Sequence, residues 1–498
     1  MSQSEIALLT GGLYLAASLL LGLLAGRRAT ASTTGWVAGD RGLGLLVMYF
    51  ITGATIFSAF AFLGLPGWAY SRGTAALYIL GYGTIGMIPF YFMGPRAARL
   101  GRAHGYVTQA ELVAHRFESR GIAGWMALVS VLAFIPYLAI QMKGAGYVLE
   151  TVSEGAVPQW LGALIVYGIV LTYVLSSGVL GVGWTNTFQG IFMITLAWGL
   201  GIYLPGKLHG GLEPMFQTLA ETRPELLASP GLAASGDPWS PWEYGSAVLV
   251  SAVGFTMWPH LFMKAFSARD IRTLKRTVVL YPTFQIFLLP LLFIGFAGVG
   301  MEPAPDRADQ ILPHILMTAD VPPLIVGLFC AGALAASMSS GDAMAHAAAS
   351  IAVRDGGFAW GKRWAPDAEQ RLLRVATVLV MVIAYWAAIA YRGSLVKLLL
   401  TTYGAVVQFA PALVLTLFSG RARGSSVLIA LIGGTVVTGL FVIAPSLRPF
   451  PIHAGAYGLA VQLAFLVPSV LRSPPPSPDV REFLRTAAGT STTTKPSG

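Results

Sequence analysis

Charge is what this sequence has least of: only 11% of its 498 residues are Asp, Glu, Lys or Arg, against roughly a quarter in an ordinary soluble domain. With 55% hydrophobic residues, the chain reads as an integral membrane protein. It has one cysteine, Cys330, in an apolar run. That excludes an intramolecular disulfide and a cysteine-clustered metal site, and leaves the thiol as a small core hydrophobe. The seven histidines include no i, i+4 pair, so a helical zinc motif is excluded. No nucleophile, phosphate or metal motif is present and no cytoplasmic loop is long enough for a catalytic domain. Neither an enzyme nor an organic cofactor is expected. The net charge of +10 does not call for nucleic acid, because basic residues held in cytoplasmic loops give the same surplus. The N-terminal "MSQSEIALLTGGLYLAASLLLGLLAGRR" lacks a basic residue before its apolar run and has Arg27 and Arg28 after it. This is the pattern of a retained first helix with its N-terminus outside, rather than of a signal peptide.

Stretches of roughly 20 apolar residues, the length that crosses a bilayer, predict thirteen helices. They fall near 5–26, 44–70, 74–97, 121–151, 157–178, 182–206, 242–263, 276–300, 321–351, 371–392, 395–419, 425–445 and 453–471. With the N-terminus outside, 24 of the 32 Lys and Arg fall in cytoplasmic loops or the tail, among them Arg371 and Arg374, and seven fall outside, including Arg392 and Lys397. Lys143 is left inside a span. The asymmetry supports both the spans and an inner-membrane orientation with a cytoplasmic C-terminus. Residues 1–471 read as one transmembrane domain, and the Pro-, Ser- and Thr-rich 472–498 as a disordered cytoplasmic tail.

Two spans carry interruptions. The second reads "YFITGATIFSAFAFLGLPGWAY", with Gly53, Thr55 and the turn-prone Gly64 to Gly67; the seventh reads "SAVGFTMWPHLFMK", with Gly254, Thr256 and Pro259 in mid-span. Their starts are five helices apart, so each opens a five-helix unit and the two units have opposite topology. Matched broken helices point to an inverted-repeat transporter with core repeats at about 44–206 and 242–419. Unwinding frees carbonyl oxygens for a hard cation; the plain alternative is that Gly and Pro only kink or pack the helices. The ninth span holds "AASMSSGDAMAH", with Ser337, Ser339, Ser340 and Asp342. Serines there commonly bond back to their own helix. An unpaired carboxylate in a span costs roughly 2.5 kcal/mol or more and by default marks an ion or proton path.

These motifs resemble the solute:sodium symporter family over nearly the whole chain. The stretches that carry the resemblance are "GWVAGDRGLG", "GATIFSAFAFLGLPGWAY", "GYVTQAELVAHRF", "IQMKGAG", "GVGWTNTFQG", "WPHLFMKAFSARD" and "AASMSSGDA", in that order. The resemblance implies an all-α, thirteen-helix fold with a leucine-transporter-like inverted repeat in helices 2–6 and 7–11. It implies a sodium site made by the carbonyls of Ala54, Phe57 and Ala336 and the hydroxyls of Ser339 and Ser340. In some relatives a second sodium uses an Asp where this chain has Asn186. Asp342 then supplies that carboxylate, takes a proton, or pairs with a neighbouring donor.

By the same resemblance the solute lies among Thr55, Ser58, Tyr82, Gln141, Phe255, Thr256, Trp258 and Gln408. Lys143 either snorkels, pairs with an acid such as Asp342, or faces a cavity, where it suits a carboxylate. The texture is closest to the monocarboxylate and pantothenate branch. The expected activity is sodium-coupled symport of a small organic solute, by a protein expected to be monomeric in the bilayer. The rivals are a proton-coupled carrier using Asp342, and a symporter for pantothenate, an amino acid or a sugar.

Overall fold

Local chemistry decides where the helices start and stop. In the computed structural model, which describes residues 2–27, 32–390 and 402–490, Ser2 and Glu5 form a reciprocal capping box on helix Gln3–Gly26. Prolines open helices Pro241–Phe255, Pro323–Ala359 and Pro366–Ala390, where the missing N–H has no helical partner to lose. Among the described residues the fold is all-helical apart from two isolated bridges, Leu43 to Ala268 and Leu232 to Pro238.

Among those residues nine helices are long and apolar enough to cross a membrane, or ten when Pro241–Phe255 and Pro259–Ser267, bent by 44°, count as one. The expected thirteen segments are reached by three further steps. Gln159–His209 is divided at Gly178, whose backbone is left-handed (φ 54°). Phe60–His104 is divided at Gly73 (φ 61°), its first part joining Leu45–Ile56, and Thr402–Phe418 is added. Length and apolarity alone support nine or ten.

Helix Pro323–Ala359, here called the serine helix, is the axis of the molecule. Phe329 through Ile351 are buried without interruption, and it packs on Gln3–Gly26, Arg120–Val152 and Gln159–His209. Small residues permit that approach: a methyl group at Gly341 would overlap the Tyr167 side chain.

The tail departs from expectation. Its residues 478–488 form helix Pro478–Ala488, capped by Ser477 and held by Phe483, whose ring lies 5.9 Å from that of His104. Arg99 Nη1 donates to the Ala487 carbonyl at 2.9 Å. A short amphipathic stretch inside Pro- and Ser-rich flanks has a partner surface here that composition does not reveal. Residues 491–498 with Lys495, and likewise Arg28, Arg392, Lys397 and the start of the expected eleventh span, lie outside the described residues.

Candidate ion and solute site

The first interrupted helix, Leu45–Ile56, stops at Phe57 (φ −84°, ψ 73°), and a wide turn over Phe60–Gly64 leads into Leu65–Arg72. In a continuous helix the carbonyls of Ala54 and Thr55 would accept the amides of residues 58 and 59. Instead the Ser58 amide donates to the Ile56 carbonyl at 3.0 Å, and the Ala59 amide to Gln141 Oε1 at 2.9 Å. The two freed carbonyls are taken up from the serine helix. Ser339 Oγ donates to Ala54 O at 2.9 Å and Ser340 Oγ to Thr55 O at 2.8 Å. Ser339 Oγ also lies 3.2 Å from Ala336 O, so back-bonding is present but secondary to the contact between helices. Ala54, Ala336, Ser339 and Ser340 are fully buried and Phe57 is 1% exposed. The break point is thus Phe57–Ser58; Gly53 stays helical, packed under the Phe284 ring.

This cluster is made of neutral oxygens, and no group of three His, Cys, Asp or Glu suited to a metal occurs among the described residues. Hard, weakly charged cations take such donors, whereas zinc and its neighbours call for nitrogen or sulfur. Gln141 holds the break open: besides receiving the Ala59 amide, its carbonyl accepts Ser337 Oγ at 2.7 Å. Gln141→Leu keeps the volume and strands the buried amide, which costs about 1–3 kcal/mol. The expected result is a lower melting temperature together with reduced uptake, and unchanged melting would exclude this role.

Asp342, one turn along the serine helix and fully buried, is surrounded by donors. Tyr173 Oη reaches Oδ2 at 2.7 Å and Thr185 Oγ1 at 3.3 Å, while Asn186 Nδ2 lies 3.1 and 3.2 Å from the two oxygens. Asn186 also donates to Val182 O at 2.8 Å, which fixes its amide orientation. Its Oδ1 lies 3.4 Å from Thr55 Oγ1, linking Asp342 to the oxygen cluster. Lys264, 5% exposed at the foot of the second broken helix, acts on Asp342 through its charge, with no ion-pair contact between the two among the described residues. Lys143 lies elsewhere, among Arg307 and Asp309.

The second broken helix ends at Phe255 and resumes at Pro259, which places its open turn in a cluster of aromatic rings, called the chamber below. Trp258 lies 5.0 Å from Tyr137 and 5.7 Å from Tyr403, ring centre to ring centre. Tyr82 lies 5.4 Å from Tyr403 and 5.9 Å from Phe255. Ser58 faces Tyr137, so the chamber adjoins the first break. Thr256 Oγ1 and Trp258 Nε1 are buried and have no hydrogen-bond partner among the described residues.

Of the expected solute residues, Ser58, Tyr82, Phe255, Thr256 and Trp258 are brought together; Gln141 and Thr55 line the junction with the oxygen cluster. Gln408 is not: its Nε2 donates to Gly404 O, Thr438 Oγ1 and Gly455 O at 3.0–3.1 Å, and Gln462 bonds it in turn. It ties Gly424–Ile443 and Ala454–Leu471 to the core. Tyr137 and Tyr403 are the chamber residues that sequence reading missed. Tyr137 was legible in principle, one turn before Gln141 on the same helix face. His346 bonds Trp36 O at 2.8 Å and serves packing.

With this geometry in hand, comparison with known proteins is specific. The sodium:solute symporter family matches residues 36–434. The "Uncharacterized symporter YhjB" of Bacillus subtilis (strain 168) is 30% identical over 408 residues, 80% of this chain and 81% of that one. The "Monocarboxylate transport permease protein" of Rhizobium johnstonii is 25% identical, covering 87% of this chain and 89% of its own. In fold, a solved Na+-coupled sialic acid symporter in its substrate-bound outward-open state superposes with a TM-score of 0.78 over 95% of this chain and 99% of that one, at 21% identity. The chain belongs to the sodium:solute symporter family, and is a membrane transporter rather than an enzyme.

Proposed function

We propose that this transporter couples inward movement of sodium to uptake of a small monocarboxylate by alternating access. The observation that carries the reading is the meeting of Ser339 and Ser340 with the freed carbonyls of Ala54 and Thr55. Desolvating a small cation is costly, so several oxygens must converge on it, and these lie on two separate helices. Sodium held by Ala54, Phe57, Ala336, Ser339 and Ser340 therefore fastens the broken helix to the serine helix. Bound solute then allows closure, and one bundle rocks against the other to open the inside. One charge moving down the membrane potential supplies about 2.3 kcal/mol per 100 mV. The N-terminus is outside and the C-terminus cytoplasmic in this reading, in the cell's inner membrane.

A monocarboxylate is supported by the name of the Rhizobium relative and by the chamber itself. Trp258 Nε1 and Thr256 Oγ1, without a hydrogen-bond partner among the described residues, are donors suited to an anion, and the surrounding aromatic rings suit a short apolar body. On this reading neutral donors, not Lys143, meet the carboxylate. Trp258→Phe keeps the packing and removes one donor; the expected result is a rise of roughly tenfold in solute KM with the sodium dependence unchanged. An unaltered KM removes Trp258 from the site.

Asp342, on this reading, is an anchor held by Tyr173 and Asn186, not a second sodium ligand or a proton carrier. Uptake into proteoliposomes at fixed pH, with sodium replaced by choline, tests the coupling ion. Uptake that persists in choline and follows an imposed pH gradient selects the proton-coupled rival.

A further inference from the structure

We propose that a groove at the foot of helix Ile271–Gln285 is a binding site for an anionic phospholipid. The groove, about 730 Å³, is lined by Leu45, Tyr91 and one stripe of that helix. The stripe runs Arg272, Lys275, Arg276, then Val279 and Leu280, which is helical i, i+3, i+4, i+7, i+8 spacing and so a single face. Its polarity has a direction. Three cations occupy the first turns, and one turn deeper two apolar side chains stand open to the surroundings, Val279 at 64% and Leu280 at 40% exposure. That is the order of a phospholipid, phosphate first and acyl chain beyond.

The cations are not committed elsewhere. Among the described residues Arg272, Lys275 and Arg276 make no ion pair; Lys275 instead lies 4.7 Å over the Tyr91 ring, which leaves its charge available to an anion. The one acid of this turn, Asp270, is engaged, accepting from the Thr273 amide at 2.6 Å and from Arg269 at 3.5 Å. Neighbouring basic groups at the same end of the bundle are tied to backbone: Arg102 donates to Ala268 O at 2.9 Å and Arg41 to Tyr106 O at 3.0 Å. A zwitterionic headgroup carries its own cation and gains little from three more. Basic pockets at the cytoplasmic membrane surface are suited to anionic headgroups. The occupant fixed by this charge pattern is a lipid with net negative charge and its chains in the adjoining leaflet.

The test uses the full chain in nanodiscs, with phosphatidylglycerol titrated into a phosphatidylcholine background and retained lipid read by native mass spectrometry. Wild type retains phosphatidylglycerol selectively, less so at high salt. The R272Q/K275Q/R276Q variant loses on the order of a hundredfold in apparent affinity, about fivefold for each basic group. R421Q/R423Q, which removes exposed charge at another loop of the same end, retains it. Unchanged melting of the triple variant in phosphatidylcholine shows that the fold is intact; if it melts early, the Lys275→Gln single variant replaces it, with a loss of about fivefold. Equal losses in the groove and control variants, equal retention of both lipids, displacement by glycerol 3-phosphate at matched concentration, or a dimer seated through this face would each overturn the proposal.

Discussion

Ser340→Ala raises the sodium concentration for half-maximal uptake by roughly five- to 150-fold. The reasoning starts from what the alanine leaves behind. Ser340 Oγ is the group that meets Thr55 O, and both residues are fully buried; without the hydroxyl, the carbonyl has no water to turn to. A buried polar group stranded in this way costs about 1–3 kcal/mol, and each 1.4 kcal/mol is about tenfold in affinity. The penalty falls on the state in which the broken helix is docked, which is the state sodium stabilises, so it is read as a weaker apparent sodium affinity. Ser339→Ala acts in the same direction through Ala54 O, and the double variant is expected to lose sodium-driven uptake.

Ser337→Ala is the discriminating control. Its hydroxyl bonds Gln141 O at 2.7 Å and lies 3.0 Å from Tyr167 Oη, so it joins the same helices without touching the freed carbonyls. Its loss is expected to lower the melting temperature while the sodium curve keeps its midpoint. A Ser340→Ala transporter whose sodium curve superposes on wild type would sink the proposed ion site.

Sequence carried the oxygen cluster further than the chamber, for physical reasons. A helix break needs Gly, Pro and small polar residues close together, and such residues stand out in an apolar span. Paired serines on a helix of Ala and Gly are equally conspicuous. Even so, the role of Thr55 was legible only as a side chain; that its carbonyl is the acceptor depends on where the helix stops, at Phe57, which no residue type announces. Aromatic residues carry no such signal, because Tyr and Trp fill cores and sites alike. Tyr403 and Gln408 show the difficulty: they are five residues apart in one segment, yet one faces Trp258 and the other the Thr438 hydroxyl and the Gly455 carbonyl. Lys143 was informative as a buried cation but left snorkelling, an acid partner and a cavity all open, since which acid a lysine meets is decided by tertiary packing. Lys264, in a stretch that reads as the end of a span, gave no hint that its charge acts on Asp342.

Asp342 gives the other large effect. Asp342→Asn is expected to destabilise the protein by about 1–3 kcal/mol, because it turns an amide N–H₂ toward the Asn186 N–H₂ that now serves both carboxylate oxygens and takes away the negative charge that acts on the buried Lys264. Lys264→Met is expected to destabilise for the converse reason, taking away the positive charge that acts on the carboxylate. The double variant removes both charges, so its loss should be smaller than the sum of the single losses, by a coupling of about 1 kcal/mol or more. Melting of the four proteins in one detergent measures it. The same set decides what Asp342 does in transport. If its charge is balanced within the protein, the double variant keeps the steepness of the wild-type sodium curve, whatever its maximal rate. A steepness that falls by one ion in the double variant, or single losses that simply add, would mean that the carboxylate serves a second cation or stands protonated, and that Lys264 is not its partner.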